Sequence, residues 1–255
     1  GTGLLVAKQF DAQLEALHVR ADPATLVPLV GEGMSGAMVE QVMEAMTKAV
    51  EERAERARAA FDRIAAKAGA AATWRQETGP EPVVLAGAAR LSDLTVIGRP
   101  DETSDSQLPA SLEAALFDSG RPVLVVPPNP PAVVGARIAI AWNGSPKASR
   151  AVAASLPYLE KAQTITVLEV PAANKASPGE ALAAYLGLHG LKATVESLDP
   201  QGKSIGKALL EHARGQGVDL LVMGAWGHSR IREMILGGVT REVLAQTTLP
   251  LLMAH

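Results

Sequence analysis

The chain contains no cysteine, which removes disulfides, thiolate metal sites and cysteine nucleophiles and fits a reducing compartment. Aromatic residues are scarce, at 3%, so any core must be filled by Ala, Val, Leu and Ile. That favours helices packed on a parallel sheet over an aromatic-rich β-sandwich. Basic residues are not in excess: 24 Lys and Arg against 27 Asp and Glu leave a net charge of -3, so there is no electrostatic case for nucleic acid. No apolar run reaches the roughly 18 residues of a membrane span, so no membrane association is expected. The start, Gly1-Thr2-Gly3-Leu4-Leu5, has no basic segment leading into an apolar core, so no secretory signal is visible. A cytoplasmic location is the expectation. HExxH, DxDxDG and Walker-type G-x4-GK[ST] patterns are lacking, as is the G-x-S-x-G frame that would make a nucleophile elbow of Gly144-Ser145.

What is present points to two domains. The 255 residues exceed the usual single-domain size, and 47% hydrophobic with 20% charged residues is ordinary for a compact globular protein. The clearest boundary is Pro127-Pro128-Asn129-Pro130-Pro131, which can continue neither a helix nor a central strand. An apolar β-branched run, Pro122–Val126, precedes it, and another, Arg137–Trp142, follows. The expected organisation is a first repeat over 1–127, a proline-rich linker over 128–135 and a second repeat over 136–255.

The two halves resemble each other. Leu91-Ser92-Asp93-Leu94-Thr95-Val96-Ile97-Gly98 matches Gly217-Val218-Asp219-Leu220-Leu221-Val222-Met223-Gly224 in composition and in the step from Asp to Gly. Each segment is followed by a polar stretch, a short helical stretch (Ser111–Phe117 or Val239–Ala245) and a Pro-led strand (Pro122–Val126 or Pro250–Met253). Shared order and punctuation over this length argue for duplication. In the second half, strands at Arg137–Trp142, Thr164–Val170, Ala193–Leu198 and Asp219–Met223 alternate with helices at Lys147–Leu159, Pro178–Leu188 and Ile205–Gln216. Unalternated apolar strands interleaved with helices indicate a parallel sheet covered on both faces. The first half follows the same plan from Leu14–Val19, with a longer helix at Ser35–Ala68 whose Glu/Arg run reads as a solvated face with i,i+4 pairs. Gly1–Phe10 reads as the tail of a helix, so the first repeat lacks an opening strand. That strand is expected upstream, in a natural chain longer than this one, because deleting a central strand exposes unpaired backbone on both neighbours.

The strongest local signal runs from Gly224 to Thr240, with glycines as G-x2-G-x9-G-G at Gly224, Gly227, Gly237 and Gly238. It starts at the carboxyl end of a strand and ends where a helix begins. Phosphate binding needs backbone N–H groups that approach anionic oxygens without a hindering Cβ, and benefits from a helix N-terminus. Gly237-Gly238 leading into Val239-Thr240 supplies both. His228, Ser229 and Arg230 follow Gly227 within reach of a phosphate, or are a solvent-facing loop. Asn143-Gly144-Ser145 ends the first strand of the same half and belongs on the same edge, where ligands settle in open α/β sheets.

The segment from Gly224 to Leu244 resembles the nucleotide-binding signature of the universal stress protein family, G-x2-G-x9-G followed by Ser or Thr, and the resemblance covers essentially the whole chain as a tandem pair. It implies two adenine-nucleotide α-hydrolase-like, doubly wound parallel five-stranded sheets, ordered 3-2-1-4-5 and packed as an intramolecular pseudo-dimer, with room for association of two chains into a homodimer. It further implies that Gly224, Gly227, Gly237 and Gly238 contact phosphates and ribose, that Asn143 stands near adenine where the family commonly has Asp, and that Val170 pairs its backbone with adenine. The implied ligand is ATP, ADP or AMP, with no metal beyond one accompanying the nucleotide. Two departures stand out: Gly238 replaces the Ser or Thr of ATP-binding members, and Asn143 replaces Asp. In the first half Arg99-Pro100-Asp101 follows Gly98, so the second glycine is missing and Pro100 removes an N–H donor.

The remaining candidates have plainer readings. Trp226 reads as packing, Lys203 and Lys207 as surface charges, and His18 as a lone histidine at a strand end, with a ligand role as its alternative. His189, His212 and His255 share no ligand-like spacing. No general base or nucleophile stands out, so no catalytic residue is named. The expected function is a stress-response sensor or binding module for an adenine nucleotide or similar phosphorylated ligand in the second repeat. The alternatives are an interaction module with a decayed pocket, or a slow nucleotide hydrolase recruiting loop residues such as His228. No protein partner is identified.

Overall fold

The computed structural model describes residues 1–22, 36–68, 71–99, 109–129, 131–170, 177–225 and 238–255. Along the chain the elements are α1 (Thr2–Phe10), β1 (Leu14–Arg20), α2 (Gly36–Ala68), β2 (Ala72–Thr78), α3 (Glu81–Ala89), β3 (Thr95–Gly98), α4 (Ala110–Phe117) and β4 (Val123–Val126). They continue as β5 (Arg137–Trp142), α5 (Pro146–Leu159), β6 (Thr164–Glu169), α6 (Pro178–Leu188), β7 (Thr194–Ser197), α7 (Ile205–Gly215), β8 (Leu220–Gly224), α8 (Gly238–Gln246) and β9 (Leu251–Ala254). The chain divides into two compact units, Gly1–Leu91 and Ser92–His255.

In the second unit the described strands form one sheet in the order β3-β4-β9-β8-β5-β6-β7. The strands of the second repeat occupy β7-β6-β5-β8-β9, which in repeat order is 3-2-1-4-5, as the resemblance implied. All pairs within it are parallel. The junction is antiparallel: Val123, Leu124 and Val125 of β4 face Met253, Leu252 and Leu251 of β9. Every residue of β4 and β9 is buried. That burial explains why the unit boundary falls after Leu91 and not in the proline segment: β3 and β4, which precede the prolines, are strands of the same sheet as the second repeat.

Two pairs of backbone hydrogen bonds are alike in the two halves. Thr95 N–H donates to Pro122 O at 3.1 Å and Leu221 N–H to Pro250 O at 3.0 Å; Arg99 N–H donates to Val126 O at 2.7 Å and Ala225 N–H to Ala254 O at 2.8 Å. The two Pro-led strands therefore enter their sheets in the same register. One pair of matched residues differs. Asp219 accepts from Gly135 N–H at 2.7 Å and from Arg137 N–H at 3.1 Å, fastening the start of β5 to the start of β8. Burial pushes its carboxyl above the usual range, against the pull of those backbone donors. Its counterpart Asp93 is exposed.

The first unit carries β1 and β2, paired parallel from Leu14–Ala72 to Arg20–Thr78. Among the described residues the first repeat thus has four strands split between two sheets, where the second has five in one. Among the described residues the counterpart of β5 is the one without a match. The 33-residue α2 has the expected i,i+4 pairs, Glu52–Arg56 at 3.6 Å and Arg58–Asp62 at 3.0 Å, all on exposed side chains. His18 is stacked on Trp74 with ring centroids 5.7 Å apart, and Phe61 and Arg58 cover the same indole.

Helix starts in the second repeat have a shared local cause. Ser145, Ser177 and Ser204 are N-caps of α5, α6 and α7, and their hydroxyls accept from the N–H of Ala148, Glu180 and Lys207. Each hydroxyl satisfies one N–H that the first turn leaves without a partner. Pro146 and Pro178 follow two of these caps, where the lost N–H costs nothing.

Candidate functional site

Three neighbouring strands bring the sequence candidates to one edge. Trp142 pairs with Glu169 across β5 and β6, and Ala141 with Met223 across β5 and β8. The next residues outward on β5 and β6 are Asn143 and Val170, side by side just past the strand ends, and Gly224, the residue after Met223, closes β8 next to Trp142. Because β8 and β9 run parallel, α8 between them starts on that same edge, at Gly238-Val239-Thr240.

The turn after β5 is built by local chemistry. Asn143 Oδ1 accepts from Ser145 N–H at 3.1 Å, and Gly144 takes a φ of 70°, which a side chain would disfavour. This reversal starts α5 almost against the end of β8. A Cβ on Gly224 would lie 2.6 Å from Ala148 N and 2.7 Å from Lys147 C. Glycine at 224 is therefore required by the approach of α5. The sequence reading tied it only to the ligand's phosphates and ribose.

The β6 corner is held from beneath. Glu169 is 2% exposed and accepts from Ser177 Oγ at 2.5 Å, Gly179 N–H at 2.7 Å and Ser197 Oγ at 3.4 Å. Trp142 Nε1 donates to Pro178 O at 2.8 Å. These bonds hold the start of α6 against the ends of β5 and β6, and Val170, half-buried just past β6, starts from a fixed point. A groove of about 230 Å³ between α5 and α6 opens beside this corner, lined by Trp142, Val152, Ala153, Leu182 and Tyr185.

Gly238 is exposed, and a Cβ there would meet nothing within 4 Å. The lost hydroxyl thus leaves open space. Val239 is half-buried and Thr240 buried. Gly227, His228, Arg230 and Gly237, together with Trp226, Ser229, Pro100 and Asp101, lie outside the described residues.

Three basic residues near this edge were not assigned to the site by the sequence, which names His255 only to set it aside. Lys147 and Arg150 are in the first turns of α5, and His255 follows β9. Burial lowers the Lys147 ammonium pKa, and the charge of Arg150 lowers it further. Burial likewise lowers the His255 pKa, with Lys147 and Arg150 adding to the effect. The three therefore share one electrostatic neighbourhood beside Gly224. Position alone could have found Lys147, two residues after the Ser145 cap; His255 is distant in sequence and carried no signal. Among the described residues no group of His, Asp and Glu suited to a metal ion occurs, and no helix is long and apolar enough to cross a membrane.

In the first repeat the matching strand ends look different. Arg20 of β1 and Gln76 of β2 border an open polar cavity of about 460 Å³ with Glu51, Glu55, Arg58 and Asp62 of α2. Its lining alternates in charge, unlike the edge at Gly224.

Comparison with known proteins places this architecture. Residues 136–255 match the model of the universal stress protein family. A universal stress protein of Synechocystis is 27% identical over 172 residues, which is 63% of this chain and 57% of that protein's length. The chain thus spans just over half of that relative. A crystal structure of a universal stress protein from Archaeoglobus fulgidus superposes with a TM-score of 0.73 at 19% identity, covering 99% of this chain and 91% of that one. Another, described as a putative universal stress protein from Pseudomonas aeruginosa, gives 0.52 at 12% identity over 94% of this chain and 92% of the other. Residues 136–255 thus resemble the universal stress protein family, and the fold is the one those solved structures share.

Proposed function

We propose that the second repeat binds an adenine nucleotide or a similar phosphorylated ligand, and that the chain acts as a stress-response binding or sensor module in the cytoplasm. One observation carries the reading: Asn143 and Val170, just past β5 and β6, and Gly224, the last residue of β8, lie at the carboxyl ends of three adjacent strands, on the edge where α8 begins at Gly238. Free N–H groups at a helix start and a cationic surround from Lys147 and Arg150 both favour an anion. The family contributes the class of ligand, and Asn143 and Val170 are the residues assigned to the base side of it. Gly227, His228, Arg230 and Gly237 complete the proposed phosphate loop. The two repeats are further proposed to form an intramolecular pseudo-dimer about the β4–β9 junction.

A second reading is an interaction module whose pocket no longer binds. It is favoured by Gly238, which has no hydroxyl, and by Asn143, whose Oδ1 is occupied by Ser145 N–H. Equilibrium dialysis with ATP, ADP and AMP separates the two. Saturable binding, lost on Gly237→Val, is the expected result. An absence of saturation at millimolar nucleotide leaves the interaction module.

A further inference from the structure

Where the second repeat continues from Gly224 into Ala225, the first continues from Gly98 into Arg99, and the two residues make equivalent backbone bonds, to Ala254 O and to Val126 O. The first repeat thus has an arginine where the glycine loop would start. Its side chain reaches into the second repeat. Arg99 Nη1 donates to Ala245 O at 2.9 Å and Nη2 to Thr247 O at 3.2 Å. Ala245 is in the last turn of α8 and Thr247 lies just beyond it.

These carbonyls are the ones a helix end leaves without partners, and they carry the negative end of its dipole. The last turn of α8 has no basic residue of its own, so the guanidinium supplies the matching charge. Arg99 Nε is buried and has no hydrogen-bond partner among the described residues. The half-buried arginine is held by its two outer nitrogens. The opposite end of α8 is Gly238-Val239-Thr240, part of the proposed site.

We propose that Arg99 is a positioning residue for the anion site of the second repeat: it acts as a clamp that fixes α8, and with it the N–H groups at Gly238–Thr240. The inference rests on the site reading given above. Arg99 does not touch the ligand. A helix of nine residues separates it from that end by about 13 Å, beyond the roughly 8–10 Å over which salt leaves exposed charges coupled. Its effect is transmitted by where α8 sits.

The test compares wild type, Arg99→Ala, Arg99→Lys and Arg99→Gln in ATP equilibrium dialysis, with hydrogen exchange over α5–α8 recorded without nucleotide. Arg99→Ala is expected to weaken ATP binding by about fivefold or more and to raise exchange in α8 while α5 and α6 keep wild-type protection. Arg99→Lys, which retains the charge and one carbonyl contact, should recover part of both effects, and Arg99→Gln less. Wild-type binding with an unchanged Arg99→Ala affinity overturns the clamp and leaves the site reading intact. A uniform rise in exchange across α5–α8 overturns it as well, since that is what general destabilisation produces. If wild type binds no nucleotide, the site reading fails, and unchanged exchange in α8 of Arg99→Ala then overturns the clamp separately.

Discussion

Two glycines at the candidate site have opposite surroundings, and each makes a prediction. At Gly224 a Cβ would meet backbone atoms of α5 at 2.6 and 2.7 Å, and backbone yields only if the helix shifts. Gly224→Ala should therefore cost about 1–3 kcal/mol, the usual range for overpacking, read by urea denaturation, and should weaken nucleotide binding in parallel. A variant as stable as wild type would show that α5 can retreat freely. At Gly238 the space is open, so Gly238→Ser should change stability by no more than about 0.5 kcal/mol. Its new hydroxyl restores the group that ATP-binding relatives are expected to use, and tighter ATP binding in dialysis is the anticipated outcome. Unaltered affinity would argue that phosphate does not reach the start of α8.

At the scale of elements, the ends of β5 and β6 are fixed by one buried carboxylate. Glu169 accepts from Ser177, Gly179 and Ser197, so it ties β6 to the first turn of α6 and to β7. Glu169→Ala would leave the buried Gly179 N–H without its acceptor, at a cost of about 1–3 kcal/mol for that group alone. Thermal unfolding should register the loss, and chemical shifts of Trp142 Nε1–H, bonded to Pro178 O, should move with it. The sequence announced the elements but not this joint. Arg137–Trp142 and Pro178–Leu188 were readable to the residue, because apolar runs and Ser-Pro starts are local signals. Glu169 looked like an ordinary strand residue, since its partners lie 8, 10 and 28 positions away. Lys147 was hidden similarly: it lies against Gly224 of β8 and its charge acts on His255, neither of which is near it in sequence. The glycine spacing marked the correct edge, but gave Gly224 only a ligand reason when packing against α5 is also one.

Taken as a whole, the molecule is organised by the β4–β9 junction more than by its prolines. The sequence placed the division at Pro127–Pro131, since composition changes most sharply there. The sheet, which runs without interruption from β3 to β7, does not respect that division. Leu124 and Leu252 face each other across the junction, each fully buried, and Arg99 adds bonds to Ala245 and Thr247 from the same side. A protease site engineered in place of Asn129–Ala132 should therefore be cut without separating the products, which should migrate together on size exclusion. Introducing Leu252→Lys into the cut protein buries an unpaired charge at the junction and should release the fragments. Separation of the cut protein without that substitution would show that covalent linkage, and not the paired strands, holds the repeats together. Acid should weaken both units by the same route. His18 and His255 have pKa values lowered mainly by burial, so the unfolded chain takes up protons first as pH falls. Their contribution to stability is complete above the ordinary histidine value of about 6.5 and declines below it, through the lowered folded values. Replacing both with Gln should flatten the fall in urea midpoint between about pH 7 and 5, the window those directions define. An equally steep fall in the double variant would show that the two histidines do not carry the acid sensitivity.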